Sequence, residues 1–383
     1  MEDNPLTQIT LITVLILTLS FSALLCCESS YAIDAAVDFG STVGPTRVAN
    51  EENVPSPQKG TNCSAASWSI AIDNDSLVSS TRDEDYTAGF AIMHSGDTVR
   101  NAWYSLDTPL DAINRLSRVD KLWRGSNDTH GFEFGIYGFT PNAINSREAI
   151  NDDRPYASLL YATSVRQHVN SNAAVAWQSS LSVGVLGLSV IGDVQNGVHR
   201  AINRRRAEGW SHQISAGGEP TLRYTVARQN RLRTNRESVH LKSSYQASLG
   251  YITEASISLN VRAGRLSSPW WSFNPEFSSY GEKSMTFAGT QSRAAERFFW
   301  AGVALKGRAY NAFLQGQFRH SDVTYTAGDL NHLLLEAWLG YTVAWSNGYR
   351  MSYMVRGHSS EVEQGKGNRR LLWGGLVFSK TFD

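Results

Sequence analysis

Apolar and polar residues alternate along most of the chain from residue 67 onward. Residues 254–264 are the clearest case, because every second residue from Ala255 to Ala263 is apolar and the residues between them are polar. A period of two is that of a β-strand whose two faces meet different surroundings. The alternation therefore predicts an all-β protein.

The alternating segments predict about twelve strands, an even number, as bacterial membrane barrels require. Residues 310–320 also alternate and are interpreted as a continuation of the ninth strand. Ser346-Asn347-Gly348 predicts a tight hairpin between the tenth and eleventh strands. The predicted strands are 67–75, 86–95, 131–139, 155–168, 175–186, 213–228, 238–249, 253–264, 297–309, 333–345, 349–357 and 371–378.

Alternation alone does not distinguish a soluble β-sandwich from a transmembrane antiparallel β-barrel. The apolar run Ile9 to Cys27, followed by the small residues Ser30 and Ala32, predicts a signal peptide over residues 1–32. No Lys or Arg precedes the run, so an uncleaved membrane anchor is the alternative. Residues 33–66 are predicted to be a periplasmic linker, and residues 67–383 an outer-membrane barrel.

The charges exclude one class of partner. Lys plus Arg and Asp plus Glu number 35 each, so the formal net charge is zero and there is no basic field for nucleic acid. The mean hydropathy of −0.29 excludes a polytopic helical membrane protein. If residues 1–32 are removed, Cys63 is the only cysteine left and no internal disulfide is possible.

A linker in the periplasm makes the first strand run outward and brings several polar segments to one rim. Asn74 and Asp75 end the first strand, and Thr87 lies near the start of the second. In a regular strand Asn74 and Asp75 face opposite sides, so they serve one site only if the strand ends or bulges there. The same topology places residues 266–296 at the other rim, although long loops usually face outward. Trp270 and Trp271 in that loop are predicted to be interfacial aromatic residues.

Residues 194–207 lack alternation and predict a short helix in the loop between the fifth and sixth strands. Gln195 and His199 are four residues apart and would share one face of that helix. The helix would present His199 at the rim.

Five segments, in this order and spacing, resemble the motifs of the outer-membrane lipid A 3′-O-deacylase family. The resemblance covers most of residues 67–383. The segments are 72–75 (IDND), 85–89 (DYTAG), 137–141 (YGFTP), 153–157 (DRPYA) and 194–200 (VQNGVHR).

The resemblance implies a calcium-dependent enzyme that removes the acyloxyacyl chain from the 3′ position of lipid A, the membrane anchor of lipopolysaccharide. The protein is expected to be a monomer. It implies that His199 is the base that activates water and that four further residues share its site. Calcium is expected at two of these four, Asp75 and Thr87. The four are Asn74, Asp75, Thr87 and Gln195.

Three residues, Arg147, Asn196 and Arg200, are expected to contact the substrate. Some family members have a basic residue after the Thr-Pro turn. Here Ser146 stands at that position and Arg147 lies beside it, so this role is open.

Other interpretations remain at this stage. In the first, His199 is an ordinary rim histidine with no catalytic role, and Asn74 and Asp75 only cap a turn. The barrel would be a porin or structural protein, or a phospholipase using the same site. The chain contains neither Gly-x-Ser-x-Gly nor His-x-Ser-Asn-Gly, which disfavours a serine nucleophile.

Overall fold

The computed structural model describes residues 66–78, 85–123, 127–170, 174–201, 205–285, 287 and 294–382. The predicted signal peptide and linker, residues 1–66, lie outside these ranges apart from Ala66. In the described part, twelve antiparallel strands form a closed barrel. Each strand pairs with its neighbours in sequence, and β12 pairs with β1, so no edge is left open. The predicted fold class and strand number are confirmed.

The strand bounds are β1 Ser67–Asn74, β2 Asp85–Ser95, β3 Asn127–Thr140, β4 Ala157–Asn170, β5 Val175–Leu186, β6 Glu219–Leu232, β7 Val239–Gly250, β8 Ile252–Arg265, β9 Glu296–Asn311, β10 Leu333–Ala344, β11 Tyr349–His358 and β12 Leu371–Thr381. The helices are α1 Asp107–Leu116, α2 Val190–Ala201 and α3 Ala312–Gln315. None of the helices in the described ranges is long and apolar enough to cross a bilayer.

Three predicted boundaries are wrong for local reasons. β6 begins at Glu219, not at residue 213, because Ser215, Gly217 and Gly218 have positive φ and form a turn. β9 ends at Asn311, whose side chain caps α3, so residues 312–320 do not continue the strand. The helix between β5 and β6 begins four residues earlier than predicted.

The two faces of the barrel differ in polarity. In β8, Ile257 and Leu259 are exposed on the outer wall, whereas Glu254 and Arg262 are buried in the lumen. A soluble β-protein has the opposite arrangement, with its apolar face inside. An apolar outer wall around a polar lumen is the pattern of a barrel embedded in lipid.

The lumen is filled by the segment after β8, residues 266–285, which we call the plug. The plug enters from the rim opposite the end of β1 and turns back at its tip, where Ser279 pairs with Glu282. Lys283 forms an ion pair with Asp73 of β1, and Glu282 with Arg223 of β6. Trp270 packs inside the lumen against β4 and β5, and Trp271 packs beside it. Their predicted place at the membrane interface is therefore wrong.

The rim at which β1 ends is called the site rim. Its loops are held together by buried ion pairs in which Arg154 binds Glu361 and Asp85. Burial alone would raise the pKa of Glu361, but Arg154 and Arg308 hold that pKa well below its usual range. Arg154, from the DRPYA segment, thus connects the loop after β3 to the loop after β11.

Candidate active site

β1 stops at Asn74, and a 3-10 turn over Asp75–Leu77 follows. The Asn74 side chain caps this turn, because its Oδ1 accepts a hydrogen bond of 2.7 Å from the Ser76 amide. Its Nδ2 donates to the Thr87 carbonyl on β2. Since the strand ends here, Asp75 is released from the alternation of β1, and it is buried. Asn74 therefore both caps the turn and fixes it to β2.

Thr87 lies at an irregularity of β2, where the register with β3 shifts between Tyr86 and Ala88. Tyr86 packs in the lumen with Phe139. Thr87, by contrast, places its hydroxyl 2.5 Å from the hydroxyl of Thr140 at the end of β3. Thr140 belongs to the 137–141 segment, but nothing in the residue pattern indicates a role for it. Asn74, Thr87 and Thr140 thus form one polar cluster.

Helix α2 lies against the outer wall of the barrel. Tyr137 and Phe139 face the lumen, so Gly138 between them faces outward. A Cβ at Gly138 would lie 3.0 Å from Cγ2 of Ile191 and 3.3 Å from the indole of Trp210. Glycine is therefore needed for α2 and Trp210 to approach the wall this closely.

The segment after α2 folds back over the helix, and we call residues 205–210 the clasp. The Asn196 amide binds Ala207 at both ends, with its Nδ2 3.0 Å from the Ala207 carbonyl and its Oδ1 2.8 Å from the Ala207 amide. Trp210 packs with Tyr156 and Ile191 in one apolar cluster. Nothing in the residue spacing signals the clasp, because it has no regular secondary structure before the 3-10 turn that begins at Trp210.

Gln195 and His199 lie one turn apart on α2, as predicted. The prediction that His199 is presented at the rim is wrong, since the clasp covers both side chains and leaves 5% of His199 and 6% of Gln195 exposed. His199 Nδ1 lies 2.5 Å from the Arg205 carbonyl. Gln195 Oε1 accepts a bond of 2.9 Å from Trp210 Nε1.

The three residues predicted to contact the substrate differ in their exposure and in their partners. Arg200 is exposed on α2. Arg147 is also exposed and pairs with Glu208 of the clasp at 2.5 Å. Asn196 is engaged on both sides by Ala207, which favours a positioning role over substrate binding.

The polar cluster and α2 are neighbours on the outer wall. Thr140 and Gly138 both face outward and are two residues apart in β3, about 7 Å along the strand. Asn74, Thr87 and Thr140 therefore lie beside the part of β3 that α2 covers.

The oxygen atoms of this cluster and of Asp75, the residue after Asn74, suit calcium in type. Among the described residues, no group of three or more His, Cys, Asp or Glu side chains is arranged to hold a metal. Calcium, however, also takes hydroxyl and carbonyl oxygens and water. The buried Asp75 carboxylate and the Thr87 hydroxyl are hard ligands of this kind.

Comparison with known proteins adds a decisive observation. The family model of Outer membrane protein LpxR matches residues 36–382. The chain belongs to the LpxR family. The resemblance inferred from the five motifs is thereby confirmed, and the family is one of outer-membrane proteins.

One solved structure supports the fold, and others are more distantly similar. LpxR from Salmonella typhimurium is 18% identical to this LpxR family member and superposes with a TM-score of 0.64, over 82% of this chain and 100% of that chain. The β domain of the Bordetella autotransporter BrkA is 7% identical, with a TM-score of 0.38 over 84% and 99% of the two chains. The KdgM porin is 6% identical, with a TM-score of 0.35 over 83% and 99%. No curated protein sequence matches the chain.

Proposed function

We propose that this LpxR family member is an outer-membrane hydrolase that removes the 3′-linked acyloxyacyl chain of lipid A by attack of water. The observation that carries the proposal is the position of α2, which holds Gln195 and His199 against the outer wall. A lipid ester reaches that wall from within the membrane, whereas the plug fills the lumen. The site would face the outer leaflet, where lipid A resides.

The hydrogen bond of His199 suits it to act as the base. Nδ1 carries a hydrogen and donates a hydrogen bond to the Arg205 carbonyl. The lone pair of the neutral ring is therefore on Nε2. Nε2 would take a proton from water as the water oxygen bonds to the ester carbonyl carbon. When the tetrahedral intermediate collapses, the bond to the sugar 3′ oxygen breaks and His199 returns the proton to that oxygen.

Gln195 is suited to stabilise the negative charge that develops on the ester oxygen. Its Oε1 is held by Trp210, which points the amide nitrogen to the other side. Within the described part of the chain, Gln195 Nε2 is buried without a hydrogen-bond partner. A buried donor with no partner is costly unless a substrate uses it, and a preorganised donor is what an oxyanion requires.

Calcium would be held by Asp75 and Thr87, and when bound it would polarise the ester carbonyl. Asn74 would keep the turn that carries Asp75 against β2. The exposed guanidinium groups of Arg147 and Arg200 would bind the phosphates of lipid A.

The outer side of α2 also suits a lipid substrate. Val190 and Val194 are exposed on the helix. Acyl chains leaving the site would contact these side chains and the apolar barrel wall.

Mass spectrometry of lipid A from a host that carries a 3′-acyloxyacyl chain tests the proposal. We expect expression of the wild-type chain to remove the mass of that chain. Unchanged lipid A with accumulated lysophospholipid would indicate the phospholipase, and no change in either lipid would indicate a barrel without this activity.

A further inference from the structure

The connection between β2 and β3 lies on the outer wall of the barrel, at the rim opposite the candidate active site. It comprises a 3-10 turn over Asp97–Asn101, then α1, then a second turn over Val119–Trp123. We call residues 96–123 the belt. A connection between neighbouring strands needs only a few residues, so the path of the belt requires an explanation.

The belt is bound to five successive strands. Tyr104 lies 2.7 Å from His94 Nδ1 on β2, and the Leu106 amide donates to Ser164 of β4 at 2.7 Å. Asn114 bridges the next two strands. It donates to Ser179 of β5 at 3.1 Å and accepts from Tyr224 of β6 at 2.7 Å.

Strand pairing shows that these contacts are on the lipid side. His130 of β3 is opposite Arg166 of β4, which is opposite Ser179 of β5, and paired residues share a face. Phe134, four residues after His130 on the same strand face, is exposed on the outer wall. The belt therefore covers outward-facing residues.

The covered residues are unusually polar for an outer wall. His130 pairs with Asp107, and Arg166 with Asp111 at 2.7 Å. The ring of Trp123 stacks on His168 at 4.1 Å. Bare charges in contact with lipid would be costly. The belt satisfies them, and its own outer side then takes the place of the wall.

That outer side carries apolar and basic residues together. Trp103 and Leu116 are 94% and 86% exposed, and Leu122 later in the belt is also exposed. Arg118 and Lys121 are exposed as well. Aromatic and apolar residues next to Lys and Arg are the composition of a helix that lies in a membrane interface.

The belt is also continuous with the aromatic residues that ring this end of the barrel. Trp68, the second residue of β1, lies at the same rim and is exposed. It stacks on His94, which the belt contacts. Trp345 and Tyr349 flank the β10–β11 hairpin at this rim and are exposed too. Such aromatic girdles mark the level of the lipid headgroups.

We propose that the belt lies in the headgroup layer of the leaflet opposite the candidate active site and that its partners are glycerophospholipids. Trp103 and Leu116 insert among the parts of the acyl chains next to the headgroups. Arg118 and Lys121 contact lipid phosphates.

Spin labels on the full chain test this placement. In a background with the three native cysteines replaced by serine, Leu116→Cys or Trp103→Cys carries the label. Ser346→Cys, in the hairpin turn at the same rim, is the matched control. Each protein is reconstituted in bilayers of phosphatidylethanolamine and phosphatidylglycerol, and collisions with oxygen and with a water-soluble nickel chelate are measured.

We expect the ratio of oxygen to nickel accessibility to be several-fold higher at positions 116 and 103 than at position 346. Equal ratios at all three positions would show that the belt faces water, where a protein partner would cover it, and would overturn the proposal. Two label positions keep the test valid if one variant does not assemble.

Discussion

The hydrogen bond from Trp210 to Gln195 determines which end of the Gln195 amide faces the space beside His199. The Gln195 carbonyl oxygen is occupied, so in the proposed reaction the nitrogen would be the atom offered to the substrate. Trp210 is therefore a positioning residue in the proposed reaction, acting through Gln195.

Trp210→Phe tests this role. Phenylalanine keeps an aromatic ring beside Tyr156 and Ile191 but loses Nε1, so the Gln195 amide is no longer held. We expect kcat for 3′-acyl release to fall about tenfold, the value of one hydrogen bond, with KM little changed. Trp271→Phe in the plug is the control. An unchanged kcat would remove Trp210 from this role.

Asp75→Asn tests the proposed calcium site. The change keeps the shape of the side chain and removes its charge, so we expect the calcium concentration for half-maximal activity to rise about tenfold or more. Terbium luminescence should show a matching loss of affinity. Asp97→Asn, in the belt, should alter neither. Equal calcium dependence in wild type and Asp75→Asn would contradict the assignment.

At the scale of elements, the sequence predicts the strands far better than the segments that complete the site. Strands such as β8 alternate strictly because lipid and lumen impose opposite polarity on each residue. Residues 213–218 also alternate, yet Ser215 and Gly217 have positive φ and the chain turns. The clasp has no period, so the burial of His199 follows only from the three-dimensional path.

A second set of contacts connects His212, two residues after the clasp, to the loop after β9. His212 binds Asp322 through Nδ1 at 2.5 Å and the Arg147 carbonyl through Nε2 at 3.0 Å. The hydrogen bond to Asp322 raises the pKa of His212 above its ordinary value. The protonated ring therefore joins two site-rim loops.

The stabilisation from this pair depends on pH in a defined direction. Because the folded-state pKa is raised, the contribution is complete below the ordinary pKa of histidine and is lost as the pH rises through the raised value. We expect Asp322→Asn to lower the free energy of unfolding in urea at about pH 5 by less than about 1 kcal/mol, since the pair is partly exposed. At about pH 9 we expect no change. An equal effect at both pH values would contradict this assignment.

At the scale of the whole molecule, the plug in its lumen distinguishes this barrel from an open porin. Its ion pairs with Asp73 and Arg223 cross the lumen, and removal of either partner would leave a buried charge. The sequence showed a long loop at an unexpected rim but no sign that the loop enters the lumen. Aromatic residues occur in similar local sequences in a plug and in a membrane girdle, so the sequence does not distinguish these two places for Trp270.

Planar-bilayer recording tests the closed lumen. We expect no steady conductance from the wild-type chain. A variant in which residues 271–285 are replaced by a flexible Gly-Ser linker should conduct, because it lacks the ion pairs across the lumen. Sustained porin-like steps from the wild type would favour the interpretation as a channel.

The most direct test of the whole account compares two histidines of the site rim. His199→Ala and His212→Ala are purified, checked for heat-modifiable migration and assayed for release of the 3′-acyloxyacyl chain from lipid A. We expect His199→Ala to lose about 10²- to 10⁴-fold in rate, as removal of a general base does, and His212→Ala to stay within about twofold of the wild type. A folded His199→Ala protein with wild-type activity would contradict the account.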